Sequence, residues 1–93
     1  MRAESVEIYS DATNAAVLRH PARRFPGCLI QGDTLSSFLQ SIRVVRNESH
    51  RLSPEAADEL ADISERLEGL LAHYKSVLIE HNIPLPFFDK PEQ

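Results

Sequence analysis

Tryptophan is missing from this chain, cysteine and methionine occur once each, and only three of the 93 residues are glycine. The single cysteine, Cys28, excludes a disulfide within the chain and, alone, provides no thiolate zinc site. A reducing, cytoplasmic home is expected. No apolar run approaches the roughly 18 residues that cross a bilayer, so no membrane partner is expected. The opening MRAESVEIYS has neither the apolar stretch nor the cleavage site of a secretory signal. Positive charge is also short: 10 Lys plus Arg face 14 Asp plus Glu, a formal net charge of −4. Nucleic-acid binding usually needs a net basic domain or a dense basic stripe, so none is expected here. With 42 % hydrophobic and 26 % charged residues, the chain reads as a single small globular domain with a thin core.

What is present is unevenly placed. Residues 1–52 hold seven Arg against five acids, whereas residues 53–93 hold three bases against nine acids. Every cation of the first half is arginine, the side chain suited to forked recognition of carboxylate or phosphate.

Residues 5–9 alternate Val6 and Ile8 with Glu7 and Tyr9, the period of a strand. The polar turn Ser10 to Asn14 separates them from a second strand over 15–19, and 28–31 forms a third. Pro26-Gly27 suits the centre of a type II turn, which needs positive φ at the glycine. Asp33 is the expected N-cap of a helix ending near residue 50, with Leu35, Phe38, Leu39, Ile42 and Val45 on one face. Ser53-Pro54 starts a second helix, Ser as N-cap and Pro at the first helical position. Its apolar stripe is Leu60, Ile63, Leu67, Leu70, Leu71, Tyr74, Val77 and Leu78, of which Leu67, Leu70 and Leu71 are expected in the core. Asn82, Pro84 and Pro86 stop it. The expected class is α+β in the order β-β-β-α-α: a small antiparallel sheet (1–32) packed on a helical hairpin (33–82), with an extended apolar tail (83–93).

Helix length raises a geometric problem. A second helix of about 29 residues is about 43 Å long, whereas a domain of this size is about 30 Å across. Its far end needs cover, from the sheet, the tail, a second copy, or a kink at Gly69. The candidate interface is therefore Tyr74, Val77, Leu78, Ile83, Leu85, Phe87 and Phe88, and the expected partner is a second copy of the chain or another protein.

Candidate chemistry is sparse. Arg19, His20, Arg23 and Arg24 lie in a loop stiffened by Pro21 and Pro26, which lowers the ordering cost of holding an anion. The plainer reading is that they pair with acids of the second helix or solvate the loop. Arg43, Arg46 and His50 are expected to pair with Glu55, Glu59 or Asp62 across the hairpin. Cys28 is expected to be a small buried strand residue rather than a nucleophile. His20, His50, His73 and His81 include no i, i+4 pair, so no metal site is implied. Glu59 and Asp62 have an E-x-x-D spacing, but the first helix offers only Glu48 as a facing acid. No catalytic set and no cofactor emerge.

Asn14-Ala15-Ala16-Val17, Arg19, Pro21, Arg24, Phe25-Pro26-Gly27, Gln31-Gly32-Asp33 and Leu35, with the closing Tyr74, Leu78, His81, Ile83, Pro84 and Pro86, resemble a family of small bacterial proteins known only as a domain of unknown function. The resemblance implies a free-standing bacterial domain and carries over no activity, cofactor or catalytic residue. The reading is a non-enzymatic, self-associating interaction module. The alternative is a small domain that holds an anion or phosphate ligand on the loop 19–24.

Overall fold

Three strands and two long helices follow one another in the computed structural model, which describes residues 1–88. The order is the expected β-β-β-α-α. The chain divides into two compact units, Met1–Gln31 and a second that begins at Gly32.

The first unit is an antiparallel meander of β1 (Glu7–Ser10), β2 (Ala16–Arg19) and β3 (Gly27–Leu29). β2 lies in the centre and is half-buried along its length; β1 and β3 are edges and exposed. The β1–β2 ladder runs Glu7 to Arg19 and Ile8 to Leu18, then shifts to pair Ser10 with Val17. Tyr9 is the extra residue of this bulge, a device that re-aims side chains at a sheet edge. The turn between the strands is closed by Thr13, whose Oγ1 donates to the Ala15 carbonyl at 3.2 Å and accepts from the Ala15 N–H at 3.3 Å.

Two expectations fail in this unit. Gly27 is not a positive-φ turn residue: it opens β3, paired with Leu18, and no described glycine has positive φ. Cys28 is exposed rather than buried, because β3 is an edge strand with no neighbour beyond it.

The second unit is a helical hairpin of α1 (Gly32–Arg46) and α2 (Pro54–Glu80), joined through a short 3-10 turn at Ser49–Arg51. α1 begins one residue before Asp33, so that carboxylate sits inside the first turn and accepts from the Thr34 N–H. It also ends at Arg46, earlier than residue 50. α2 starts as read, with the Ser53 hydroxyl accepting from the Ala56 N–H at 3.1 Å and Pro54 first in the helix. It runs unbroken through Gly69. Its end is a Schellman motif: Asn82 takes φ 57°, its N–H donates to the Ile79 carbonyl, and the Ile83 N–H donates to the Leu78 carbonyl. Asparagine tolerates this left-handed conformation better than most side chains, which is why the helix stops there.

The hairpin core is Leu35, Leu39 and Leu71, with Leu67, Tyr74 and Phe87 packed against it. Leu39 is wholly buried, as is Ser64, whose hydroxyl donates to the Leu60 carbonyl at 2.8 Å. Leu70, expected in the core, is 60 % exposed, and Phe38, Val45 and Ile63 are about half exposed. α2 has turned so that Ser64, Leu71 and Leu78 face inward and the Ile63, Leu70 edge of its stripe faces out. Tyr74 fixes that rotation. Its ring lies against the first turn of α1, where a Cβ on Gly32 would meet ring atoms at 2.3 Å.

Two stability results follow. Leu71→Ala should lower the unfolding free energy by about 2–5 kcal/mol, through lost burial and a residual cavity, and Leu70→Ala, measured in a protomer kept monomeric by dilution, by well under half of that. Denaturant titration of the two variants checks the rotation of α2. Gly32→Ala should destabilise by about 1–3 kcal/mol, because the Tyr74 ring must move out of its seat, and Tyr74→Leu should relieve most of that loss in the double variant.

Candidate functional site

The loop between β2 and β3 was the densest cationic segment in the sequence, and its arginines separate into different roles. Arg19 stands directly across the ladder from Glu7 and pairs with it. Its Nη1 also donates to the Arg23 carbonyl at 2.8 Å, which ties the loop to the strand. Arg19 is therefore a structural cation, and its acid comes from β1 rather than from the second helix. The hydrogen bond from Arg19, then its charge, then a hydrogen bond from Tyr9 hold the Glu7 carboxyl below its ordinary range. The same contact pushes the Arg19 guanidinium further up.

His20, Arg23 and Arg24 remain as a rim of hydrogen-bond donors, the two arginines its cations. The Arg23 N–H donates to the His20 carbonyl at 2.9 Å, and the Ala22 N–H donates to His20 Nδ1 at 2.9 Å. His20 is thus left with Nε2 as its donor. The Arg24 guanidinium sits 5.4 Å from the centre of the Phe25 ring, within the range of a cation–π contact. Among the described residues neither Arg23 nor Arg24 forms an ion pair. Beside them lies a hollow of about 480 Å³ whose lining includes Leu18, Phe25, Gly27 and Leu29, with Cys28 also at its edge.

A second hollow, of about 500 Å³, runs along the hairpin between Leu39, Leu71 and Ile79. The charged groups beside it are already engaged: Glu68 faces Arg46 at 3.6 Å, and Arg43 and Lys75 each have an interaction of their own. The Arg46–Glu68 pair is the interhelix contact expected from sequence, but with a more distal acid. α1 ends early and the connection is long, which places its last turn beside Glu68 rather than Glu55, Glu59 or Asp62. Both side chains are partly exposed, so the pair is worth under about 1 kcal/mol.

His50 and Arg51 turn to Glu48, at 3.9 and 3.2 Å, and Asp62 pairs with Arg66 one turn on at 3.0 Å. Among the described residues no three His, Cys, Asp or Glu side chains converge as a metal set, and no helix is long and apolar enough to cross a membrane.

The interface candidates also divide. Leu78 is buried, Tyr74 and Phe87 pack on the hairpin core, and Val77 and Leu85 are half-buried. Phe87 folds back because Pro84 and Pro86 hold the tail off the helical path, within reach of Leu35 and Leu71. Ile83 and Phe88 stay exposed. The tail beyond them, residues 89–93, lies outside the described residues. Missed by the sequence reading was the exposed row Phe38, Val45, Ile63 and Leu70; a seven-residue spacing within each pair was the available signal.

A family model matches residues 1–87, which takes in all three strands, both helices and Phe87. The chain belongs to DUF6959, a family of unknown function. No curated protein and no solved structure matches it. The DUF6959 match therefore agrees with the resemblance read from sequence, and brings no activity with it.

The Glu7–Arg19 pair makes a pH prediction. A carboxyl whose folded pKa is depressed stabilises the fold above its unfolded value, and that stability is lost as pH falls through the folded value. Acidification into and below the ordinary glutamate range should loosen the β1–β2 ladder, while Glu7→Gln should be weaker at neutral pH and lack that part of the acid dependence. Amide exchange of β1 and β2 against pH reads this directly.

Proposed function

We propose that the protein is a non-enzymatic interaction module that pairs with a second copy of itself through one face of its helical hairpin. The observation that carries the reading is the exposed row Phe38, Val45, Ile63 and Leu70, each between 48 and 60 % exposed. Phe38 and Val45 are seven residues apart on α1, and Ile63 and Leu70 are seven apart on α2. Each row lies on the same side of its helix's buried line, Leu35 and Leu39 on α1, Ser64 and Leu71 on α2. The contacts of Gly32 with Tyr74 and of Arg46 with Glu68 make the helices antiparallel. In an antiparallel pair, rows displaced in the same sense fall on the same side. All four side chains thus share one face of the hairpin.

Size and symmetry favour a second copy as the occupant. Two helices of this kind present a face about 22 Å long over the α1 segment and about 20 Å across. With the rest of α2 this comes to about 600 Å² per partner, the low end of a stable interface. A two-fold axis between Ile63 and Leu70 would lay Ile63 of each copy against Leu70 of the other, and two hairpins so joined make a four-helix bundle. The flanking charges are compatible with this, since Asp62 and Arg66 are already paired along α2. One exposed thiol and no second cysteine fit a reducing cytoplasm. The interface differs from the one expected from the tail: Tyr74, Leu78 and Phe87 belong to the protomer's own packing, leaving Ile83 and Phe88 as peripheral contributors.

Light scattering across a dilution series tests it. The intact chain should have the mass of a dimer, and Leu70→Glu should have the mass of a monomer while keeping its helical circular dichroism. A chain that stays monomeric at every concentration overturns the reading.

A further inference from the structure

The hollow beside the β2–β3 loop has a specific origin. Residues paired across an antiparallel ladder point to the same side, so the pairs Leu18–Gly27 and Ala16–Leu29 put Leu18, Leu29 and two small residues on one face, with Gly27 directly opposite Leu18. No atom lies within 4 Å of the position a Gly27 Cβ would take. The missing side chain leaves an apolar recess, and its volume of about 480 Å³ is within the roughly 300–1,000 Å³ of small-molecule sites. Over its rim stand Arg23 and Arg24, without an ion pair among the described residues, and the Nε2 donor of His20. The rim is held in place before any ligand arrives: Arg19 donates to the Arg23 carbonyl, and the turn from His20 to Arg23 is closed by a backbone hydrogen bond.

We infer that this recess binds a small amphipathic carboxylate, its head on Arg23 and Arg24 and its apolar body over Leu18, Gly27 and Leu29. Charge complementarity selects the head, because the donors are all on the rim and no acid lines the recess. Exposed guanidinium groups hold a bare anion weakly. The apolar floor supplies the rest, and each methylene buried there should tighten binding by about four-fold. The site lies wholly within the sheet unit and is independent of the hairpin face proposed for self-association.

The test titrates the intact chain with butyrate, hexanoate and octanoate, following the backbone amides of Arg23, Arg24 and Leu29 by NMR. Acetate and inorganic phosphate are the head-only arms, and octylammonium is the charge-reversed arm. Affinity should climb with chain length among the carboxylates, with octylammonium leaving those amides unmoved. Gly27→Val should abolish octanoate binding by filling the recess, since valine suits a strand and has room there. Arg23→Gln with Arg24→Gln should abolish it by removing the head contact, in a sheet whose amide dispersion is unchanged. The arginine variant decides alone if Gly27→Val disturbs the ladder. No shift with octanoate, equal binding of octylammonium, acetate or phosphate as tight as octanoate, or undiminished binding by the arginine variant would each overturn the inference.

Discussion

Leu39 is the side chain around which the helical hairpin is organised. It is wholly buried, with Leu35 and Leu71 in the same cluster, and Leu78 is the only other buried apolar side chain among the described residues. A fully buried leucine contributes about 1.5–3 kcal/mol, so a core this small leaves little margin. The neighbouring features serve it. Tyr74 sits on the bare backbone of Gly32, and the proline-bent tail returns Phe87 to the cluster. Ser64 is the small residue that lets α2 present this line inward, and its own carbonyl partner at Leu60 satisfies the hydroxyl. Having turned that line inward, α2 must turn Ile63 and Leu70 outward. The exposed face is the consequence of the core, and the case for a second copy begins there.

The sheet unit relies on different physics. None of its residues is buried, and its outer strands are exposed throughout. Three-stranded sheets need an apolar face covered to be stable, so the local polar contacts matter more than they would in a larger sheet. Arg19 does two jobs there, closing the ladder onto Glu7 and holding the loop by the Arg23 carbonyl. Because Arg19 is committed, Arg23 and Arg24 are the loop's available cations. A structural role for one arginine and a binding role for its neighbours are compatible, which the sequence could not distinguish.

The element order was readable because its signals are local. Alternation marked the strands, Ser53-Pro54 marked a helix start, and Asn82 marked its end; each acts through the backbone of adjacent residues. The misreadings are all tertiary. A stripe holding Ile63, Leu67, Leu70, Leu71 and Leu78 is wide enough that either edge can face inward, and what chooses the edge is Tyr74 meeting Gly32, a contact more than forty residues long in sequence. Cys28 looked buried because its strand is apolar, but burial depends on whether another strand lies beyond it. Gly27 looked like a turn glycine from the proline before it; its use is the space above it in β3. The arginine loop was found by composition, and the division of labour within it required the ladder register.

Membership in DUF6959 leaves the activity open, and the proposed self-association is the property to test first. If the hairpin face is covered by a second copy, part of the folding free energy comes from association, and the thermal midpoint must rise with protein concentration. The direct measurement is that midpoint, followed by helical circular dichroism across a dilution series of the intact chain. Self-association through the hairpin face requires a steady increase with concentration that disappears in Leu70→Glu; a midpoint independent of concentration in the intact chain, together with a monomeric mass throughout the series, would rule it out.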